Sequence, residues 1–138
     1  HDLQANNWDL VDLSCEYIIG RWLILPAADG SMPDRQILDQ LAESDCLWLQ
    51  RIAVVSTLWL IRQNQYDDTL RIVNRLLEHR HDLIHKAMGW VLREIGKRDI
   101  SVMLDFLESH YNEMPRTTLR YAIERLPDNE RKAWLARK

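Results

Sequence analysis

The sequence predicts an all-α fold, and three observations support this prediction. Apolar residues recur at steps of three and four along most of the chain, which is the period of an amphipathic helix. Only four Gly and four Pro occur among the 138 residues, which favours long helices over strands joined by tight turns. Hydrophobic residues make up 46% of the chain and charged residues 28%, as in a folded globular domain rather than a disordered one.

Capping and helix-breaking residues indicate where the predicted helices begin and end. Asn7 is placed to cap a first helix whose apolar residues, from Trp8 to Trp22, recur at helical steps. A stretch dense in helix-breaking residues, from Pro26 to Pro33, predicts a loop. The later helices are predicted over residues 34–42, 46–63, 67–78, 82–97, 99–110, 115–126 and 128–137. We find no convincing strand.

Four residues are expected at the starts of these later helices. Asp45, Asp82 and Asp99 carry short side chains that accept hydrogen bonds from the first backbone N–H groups of a helix, and each is predicted as a cap. Pro115 is predicted at the first helical position, where a missing N–H has no cost.

The predicted helices group into pairs, in which a short first helix precedes a second one. The second helices begin near Cys46, Leu83 and Arg116, about 35 residues apart. Each contains an alanine where neighbouring helices must approach closely; these are Ala53, Ala87 and Ala122. The pattern is typical of an α–α superhelix of HEAT-like helix pairs, although stacked helical hairpins of another kind would look similar. We expect one such domain over residues 1–138.

Charge is unevenly distributed along the chain. The formal net charge is −3, which by itself argues against binding to nucleic acid. Residues 1–50 contain nine Asp/Glu and two Arg, a charge of −7, whereas residues 51–138 contain 16 Lys/Arg and 12 Asp/Glu, a charge of +4. The second part of the chain can therefore face phosphate although the first does not.

Cysteines and histidines do not predict a metal site or a disulfide. Cys15 and Cys46 are far from each other and from any histidine cluster, so we expect two buried thiols in a reducing compartment. His81 and His85 have the four-residue spacing of zinc-binding helices, but no third ligand or catalytic Glu accompanies them. No segment approaches the ~20 apolar residues of a membrane span, and we expect a cytoplasmic protein without membrane contact.

Four stretches of the sequence resemble the AlkD-like DNA alkylation repair family, and they occur in the family's order. They are Asn7–Asp12, Trp48–Ala53, Asp82–Asp99 and Met114–Glu124, which together extend over nearly the whole chain. The resemblance implies a HEAT-like fold and a DNA glycosylase that removes N3- and N7-alkylated purines without a cofactor. Family members usually have further helix pairs before the first stretch, so we expect the chain to be a C-terminal portion, truncated at its N-terminus.

The resemblance also implies which residues form the site. Asp12 matches the family's catalytic Asp, and Trp8, four residues earlier, matches its Trp. Arg51 matches an Arg on the next second helix, and Trp90 matches a second DNA-contacting Trp. Positions four apart share a helix face, and packed helices lie about 8–10 Å apart. If these helices lie side by side, the site spans roughly 20 Å of one surface, about the width of a DNA duplex.

The chemistry of an alkylated purine suits these residue types. Alkylation at N3 or N7 makes the base cationic and a good leaving group, so little general acid is needed. The remaining requirement is a carboxylate that stabilises positive charge on the deoxyribose and orients water, and Asp12 is the candidate. Trp8 and Trp90 offer π faces to sugar or backbone, and Arg51 can hold a phosphate through two N–H groups.

A stripe of cations surrounds Trp90 on its predicted helix. Lys86 lies four residues before it, and Arg93 and Lys97 lie three and seven residues after it. A basic stripe with an aromatic side chain at its centre is typical of a track for the DNA backbone. The alternative is an ordinary solvated face whose cations pair with Glu94 or Asp99.

Each site residue also has a structural interpretation. Asp12 can be a surface or capping acid, Arg51 can pair with an acid, and the two tryptophans can be core residues, with Trp90 packed over Gly89. Trp22, Trp48, Trp59 and Trp134 are expected to lie in the core or to pack between helices.

Two functions of different classes therefore remain. The first is a monomeric, monofunctional glycosylase acting on double-stranded DNA with alkylated bases, without metal. The second is a non-catalytic HEAT-like module that binds damaged DNA or a protein. The overall negative charge favours this second function, and so does the expected truncation of the helix pairs that usually precede the first stretch.

Overall fold

A computed structural model of the chain describes residues 36–137, without the side chain of Trp48. Within this part the chain is helical and contains no strand, as predicted. The α-helices are α1 (Gln36–Glu43), α2 (Leu47–Arg62), α3 (Asp67–Leu76), α4 (Asp82–Arg98), α5 (Ile100–His110), α6 (Arg116–Ala122) and α7 (Asp128–Ala136), and a 3₁₀ turn (Tyr111–Glu113) precedes α6. The helix predicted from Trp8 to Trp22 and the loop after it lie outside the described residues.

The predicted capping residues are partly wrong. Asp82 is the first residue of α4 rather than its cap, because His81 adopts an extended backbone and its Nδ1 accepts a hydrogen bond from the Leu83 N–H at 3.1 Å. Likewise Cys46, not Asp45, is the N-cap of α2. Cys46 is also exposed, so the expected burial of its thiol is wrong.

The N-termini of α5 and α6 and the C-terminus of α6 also differ in part from the predictions. Asp99 is the N-cap of α5 as predicted, although its side chain makes no capping hydrogen bond. Pro115 is the N-cap of α6 rather than its first helical residue. The helix predicted to reach residue 126 ends at Ala122, because the chain turns and the Leu126 N–H bonds to the Ile123 carbonyl at 2.9 Å.

The helices form two layers, which agrees with the predicted α–α superhelix. The second helices α2, α4 and α6 lie side by side in one layer, with α4 packed against both of its neighbours. In the other layer, α1 and α3 pack against α2 and each other, and α5 packs against α4. The central helix α4 therefore contacts most of the described fold, and residues on its open face have α2 on one side and α6 on the other.

Small residues let the second helices approach closely. Ala53, Ala87 and Ala122, the three alanines of the predicted repeat, are all buried. At Gly89, α4 approaches α6 closely, since an added Cβ would be 2.4 Å from the Cβ of Tyr121 and 2.8 Å from the Thr118 carbonyl oxygen.

The hydroxyl of Thr118 reinforces the contact between α4 and α6. It is buried and donates a hydrogen bond to the His85 carbonyl at 2.8 Å. The spacing of α4 and α6 is thus set by backbone-to-backbone contact at the glycine and by this bond.

Ion pairs join α1 and α3, two of the helices of the other layer. The Asp39 carboxylate of α1 accepts hydrogen bonds from Nε of Arg71 at 3.1 Å and Nε of Arg75 at 2.9 Å, both on α3. Arg71 also binds the buried Asp68 at 2.8 Å. Because one carboxylate receives two guanidinium groups and is itself only 16% exposed, this network is better ordered than an isolated surface pair.

The last helix is held by contacts to the end of α5. The Tyr111 hydroxyl lies 2.6 Å from the Arg137 carbonyl and 3.1 Å from that of Trp134. The Trp134 ring packs beside Tyr111 with a centroid separation of 6.0 Å, which confirms its predicted place between helices. None of the described helices is long and apolar enough to cross a membrane.

Candidate nucleic-acid interface

The predicted site residues that the structure describes all lie on two adjacent second helices. Trp8 and Asp12 lie outside the described residues. Arg51 lies on α2, and Lys86, Trp90, Arg93 and Lys97 lie on α4. Since α2 and α4 pack together, these residues belong to one continuous layer of the fold.

Arg51 ties α2 to the first turn of α4. Its Nη1 donates a hydrogen bond to the Leu83 carbonyl at 3.1 Å, and the residue is half-buried. The guanidinium therefore lies at the junction of the two helices, beside the N-terminal end of α4.

Trp90 is partly buried and packs against the core. Gly89 beside it is needed for the approach of Tyr121 and Thr118 on α6. The glycine is thus explained by the contact between helices rather than by the tryptophan. A partly buried indole retains accessible ring surface while packing holds its position, which is compatible with stacking on a sugar or base.

Each cation of the predicted basic stripe has an acidic partner. Lys86 Nζ lies 3.1 Å from Asp82 in the preceding turn, and Lys97 Nζ lies 2.8 Å from Glu94. Arg93 forms an ion pair with Glu124, which follows α6. The stripe therefore carries less net positive charge than its basic residues alone suggest, and Glu94 is the partner that the solvated-face interpretation anticipates.

These ion pairs are weak enough to be exchanged for phosphate. The side chains of Lys86 and Asp82 are 44% and 60% exposed, and those of Lys97 and Glu94 are 40% and 26% exposed. Ion pairs in such positions contribute about 0–1 kcal/mol. A DNA phosphate that brings its own negative charge can take the place of either carboxylate with little loss of protein stability.

A groove of about 460 Å³ lies where α4, α5 and the end of α6 meet. Arg93, Lys97 and Arg125 contribute its positive charge, and apolar or small residues line the rest, namely Gly96, Ile100, Met103, Ala122 and Leu126. The three cations, together with Glu124, also line an adjoining polar pocket of about 490 Å³. The groove extends the basic stripe from α4 onto the turn after α6.

Arg125 was not predicted as a site residue. Helical periodicity extended the predicted helix to residue 126, so no sequence signal separates Arg125 from an ordinary exposed helix position. In the structure it follows the end of α6 and is exposed. Among residues 36–137 it has no ion-pair or hydrogen-bond partner, which distinguishes it from Arg93 and Lys97.

The histidines before α4 form a hydrogen-bonded cluster. His79 Nδ1 accepts from the His81 N–H at 3.0 Å, while its Nε2 lies 2.8 Å from Oε1 of Gln50 on α2. Because Nδ1 is an acceptor, His79 is the neutral tautomer with hydrogen on Nε2. Burial lowers the pKa of His79, and the charges of His81 and His85 lower it further.

The same bonds give the histidines a structural role. His85 Nε2 lies 2.5 Å from the His79 carbonyl. No group of three metal-binding side chains occurs within the described part of the chain. The described histidine contacts instead order the turn that leads into α4.

Comparison with known proteins identifies the family. A family model described as DNA alkylation repair enzyme matches residues 2–126. No curated protein matches the chain. The matched range includes all four stretches of resemblance and every predicted site residue, and the fold is the helical one expected from them. Because the match extends over nearly the whole sequence, the chain belongs to the DNA alkylation repair enzyme family.

Proposed function

We propose that this protein is a DNA glycosylase that hydrolyses the N-glycosidic bond of N3- and N7-alkylated purines in duplex DNA. Membership of the DNA alkylation repair enzyme family supports a role in repair. The observation that supports glycosylase activity in particular is the packing of α2 against α4, the helices that bear Arg51 and Trp90. These two residues, with Trp8 and Asp12, are the set that the resemblance implies for this reaction.

The reaction begins with departure of the cationic base. The electron pair of the glycosidic bond leaves with the purine, which becomes neutral, and positive charge develops on the deoxyribose. The Asp12 carboxylate stabilises this charge and orients a water molecule onto C1′. Water then adds to C1′ and loses one proton, leaving an abasic sugar. No Lys is assigned as a nucleophile, so the DNA strand stays intact.

The other residues bind DNA rather than react. Trp8 and Trp90 offer ring faces to sugar or backbone, and Arg51 holds a phosphate near the lesion. Three cations, Lys86, Arg93 and Lys97, exchange their acidic partners for phosphates along the same strand. In this arrangement the reaction takes place from the sugar side of the nucleotide, and the protein does not enclose the base. The protein acts as a monomer in one HEAT-like domain, without a metal or cofactor.

The proposal is tested by release of 7-methylguanine and 3-methyladenine from methylated duplex DNA. We expect the parent chain to release both bases, and Arg51→Gln to reduce the rate at least tenfold because a charge-assisted phosphate contact is lost. Arg80→Gln serves as the matched control, since Arg80 is exposed before α4. A folded parent chain that releases neither base, or equal rates for the two variants, contradicts the proposal.

The alternative is a non-catalytic module that binds damaged DNA or a protein. The pairing of all three stripe cations with carboxylates favours it, because the surface then attracts phosphate less strongly. It predicts a folded chain that binds methylated duplex, or a protein partner, and releases no base. Measuring binding and base release on the same duplex separates this function from the glycosylase.

A further inference from the structure

The groove at the junction of α4, α5 and α6 has an excess of positive charge. Three cations line the groove and its adjoining pocket, and one carboxylate, Glu124, lies among them. Even when Glu94, the partner of Lys97, is counted, the cations remain in excess. This local excess contrasts with the net charge of −3 for the whole chain, and it indicates an anionic ligand.

Arg125 provides a guanidinium that is available to such a ligand. It is exposed, and among the described residues it has no hydrogen-bond or ion-pair partner. A guanidinium presents a planar fork of N–H donors that matches two oxygens of a phosphate. Arg93 lines the same groove, so two guanidinium groups can approach one tetrahedral anion.

When no ligand is bound, Arg93 forms an ion pair with Glu124. The Arg93 side chain is only 22% exposed, whereas that of Glu124 is 61% exposed. The arginine is therefore held by its surroundings, and the glutamate is the partner that can move into solvent. Because an exposed carboxylate contributes little to such a pair, an incoming phosphate can replace Glu124 without rearrangement of α4.

The groove also lies at a suitable distance from the predicted DNA contact at Trp90. Arg93 and Lys97 follow Trp90 by three and seven residues, which corresponds to roughly 5–10 Å along a helix. Successive base pairs along one strand rise by about 3.4 Å. If a DNA strand runs along α4, the groove lies opposite a phosphate about one to three nucleotides from the one nearest Trp90.

We propose that this groove binds a phosphate of the DNA backbone that flanks the lesion, with Arg125 as its principal ligand and Glu124 as the carboxylate that the phosphate displaces from Arg93. The inference rests on the proposed function, because it takes duplex DNA as the bound polymer. It adds a contact outside the four stretches of resemblance, on the turn that follows α6.

The test is binding of the full chain to a fluorescent, undamaged duplex across a series of KCl concentrations. One phosphate contact contributes about 0.9 to the slope of log affinity against log salt, or roughly eightfold in affinity at 0.1 M. For Arg125→Gln we expect the salt slope to become shallower by about 0.9 and the affinity at 0.1 M to fall roughly eightfold. Glu124→Gln should bind about threefold more tightly, since no carboxylate competes for Arg93.

Lys132→Gln is the matched control, because it removes one exposed cation from α7 that does not line the groove. Equal effects of Arg125→Gln and Lys132→Gln would indicate only a change in net charge and would overturn the proposal. An unchanged salt slope for Arg125→Gln would overturn it as well.

A second arm separates backbone phosphate from free phosphate. Single phosphates of a duplex that carries one 7-methylguanine at a fixed position are replaced in turn by neutral methylphosphonates. We expect one position to weaken binding of the parent and to have no effect on Arg125→Gln. If no position behaves in this way while inorganic phosphate competes through Arg125, the groove holds free phosphate and the assignment to the backbone is wrong.

The salt series on the undamaged duplex keeps DNA binding separate from base release. A chain that shows the Arg125-dependent slope and releases no base supports the phosphate site and contradicts the glycosylase. A chain that releases base with a slope independent of Arg125 supports the glycosylase and overturns the phosphate site. Absence of DNA binding at all salt concentrations overturns the phosphate site.

Discussion

Replacing Gly89 with alanine tests how the second helices are spaced. The added Cβ would lie 2.4 Å from the Cβ of Tyr121 and 2.8 Å from the backbone oxygen of Thr118. Neither atom is at the free end of a flexible side chain. Relief of the clash therefore requires movement of α4 away from α6, which would also lengthen the 2.8 Å bond from Thr118 to the His85 carbonyl.

The expected loss of stability follows from two opposing contributions. Overpacking by one carbon in a close helix contact costs about 1–3 kcal/mol or more. Alanine in place of glycine inside a helix returns about 1 kcal/mol. Because the contact at Gly89 involves backbone, we expect the upper part of this range and a net loss of about 1–2 kcal/mol. At roughly 4 °C per kcal/mol for a chain of this size, Tm falls by about 4–8 °C.

Gly96 on the same helix provides the matched control. Its added Cβ would lie 2.8 Å from the sulfur of Met103, which is near the end of a flexible side chain that lines the groove. The thioether can move, so the helix propensity gain offsets the contact and the stability change stays within about 1 kcal/mol. Urea and thermal unfolding measure both variants, and equal losses at the two positions would refute the explanation of the α4–α6 contact.

Three further predictions concern the cap of α4, the ion pairs of α1 and α3, and the histidine cluster. His81→Ala should lower the free energy of unfolding by about 1 kcal/mol because the cap on Leu83 N–H is lost, whereas His81→Asn should retain it, as judged from urea midpoints. Asp39→Asn should cost about 1 kcal/mol because two arginines lose their shared carboxylate, and Glu43→Gln, whose carboxylate is 60% exposed, should cost less in the same assay. Because the pKa of His79 is lower in the folded chain than in the unfolded chain, His79 binds a proton in the unfolded chain first as the pH falls. The contribution of neutral His79 to the free energy of unfolding is therefore fully present above pH 6.5 and is lost as the pH falls through the folded pKa. Urea midpoints at pH 7.5 and 5.5 should differ less for His79→Gln than for the parent, and equal differences would show that His79 is not responsible.

Helical periodicity predicted the existence of the described helices, but local geometry decided their ends. Asp82 has the side chain of a good cap, yet the cap is His81, because its ring accepts the Leu83 N–H from an extended backbone. Apolar spacing continues through Ile123 and Leu126, so it could not reveal that the chain turns after Ala122. Periodicity shows only which residues face the core. In the segment after Ala122, a continued helix and a turn both place Ile123 and Leu126 toward the core, so periodicity does not distinguish them.

The candidate site shows a similar division. Arg51 and Trp90 lie on neighbouring second helices, as the pairing of helices predicted. Pairing of Lys97 with Glu94 was foreseeable, since the two lie within one turn. Pairing of Arg93 with Glu124 was not, because 31 residues separate them and only the packing of α4 against α6 brings them together.

The most direct measurement is the single-turnover rate of 7-methylguanine release from methylated duplex DNA by the parent chain and by Asp12→Asn. Asp29→Asn, in the predicted loop from Pro26 to Pro33, removes the same charge as a control. We predict release by the parent and the control and a loss of at least about 100-fold in Asp12→Asn, because the carboxylate no longer stabilises charge on the sugar. A rate for Asp12→Asn equal to that of the control would contradict the assignment of Asp12 as the catalytic residue.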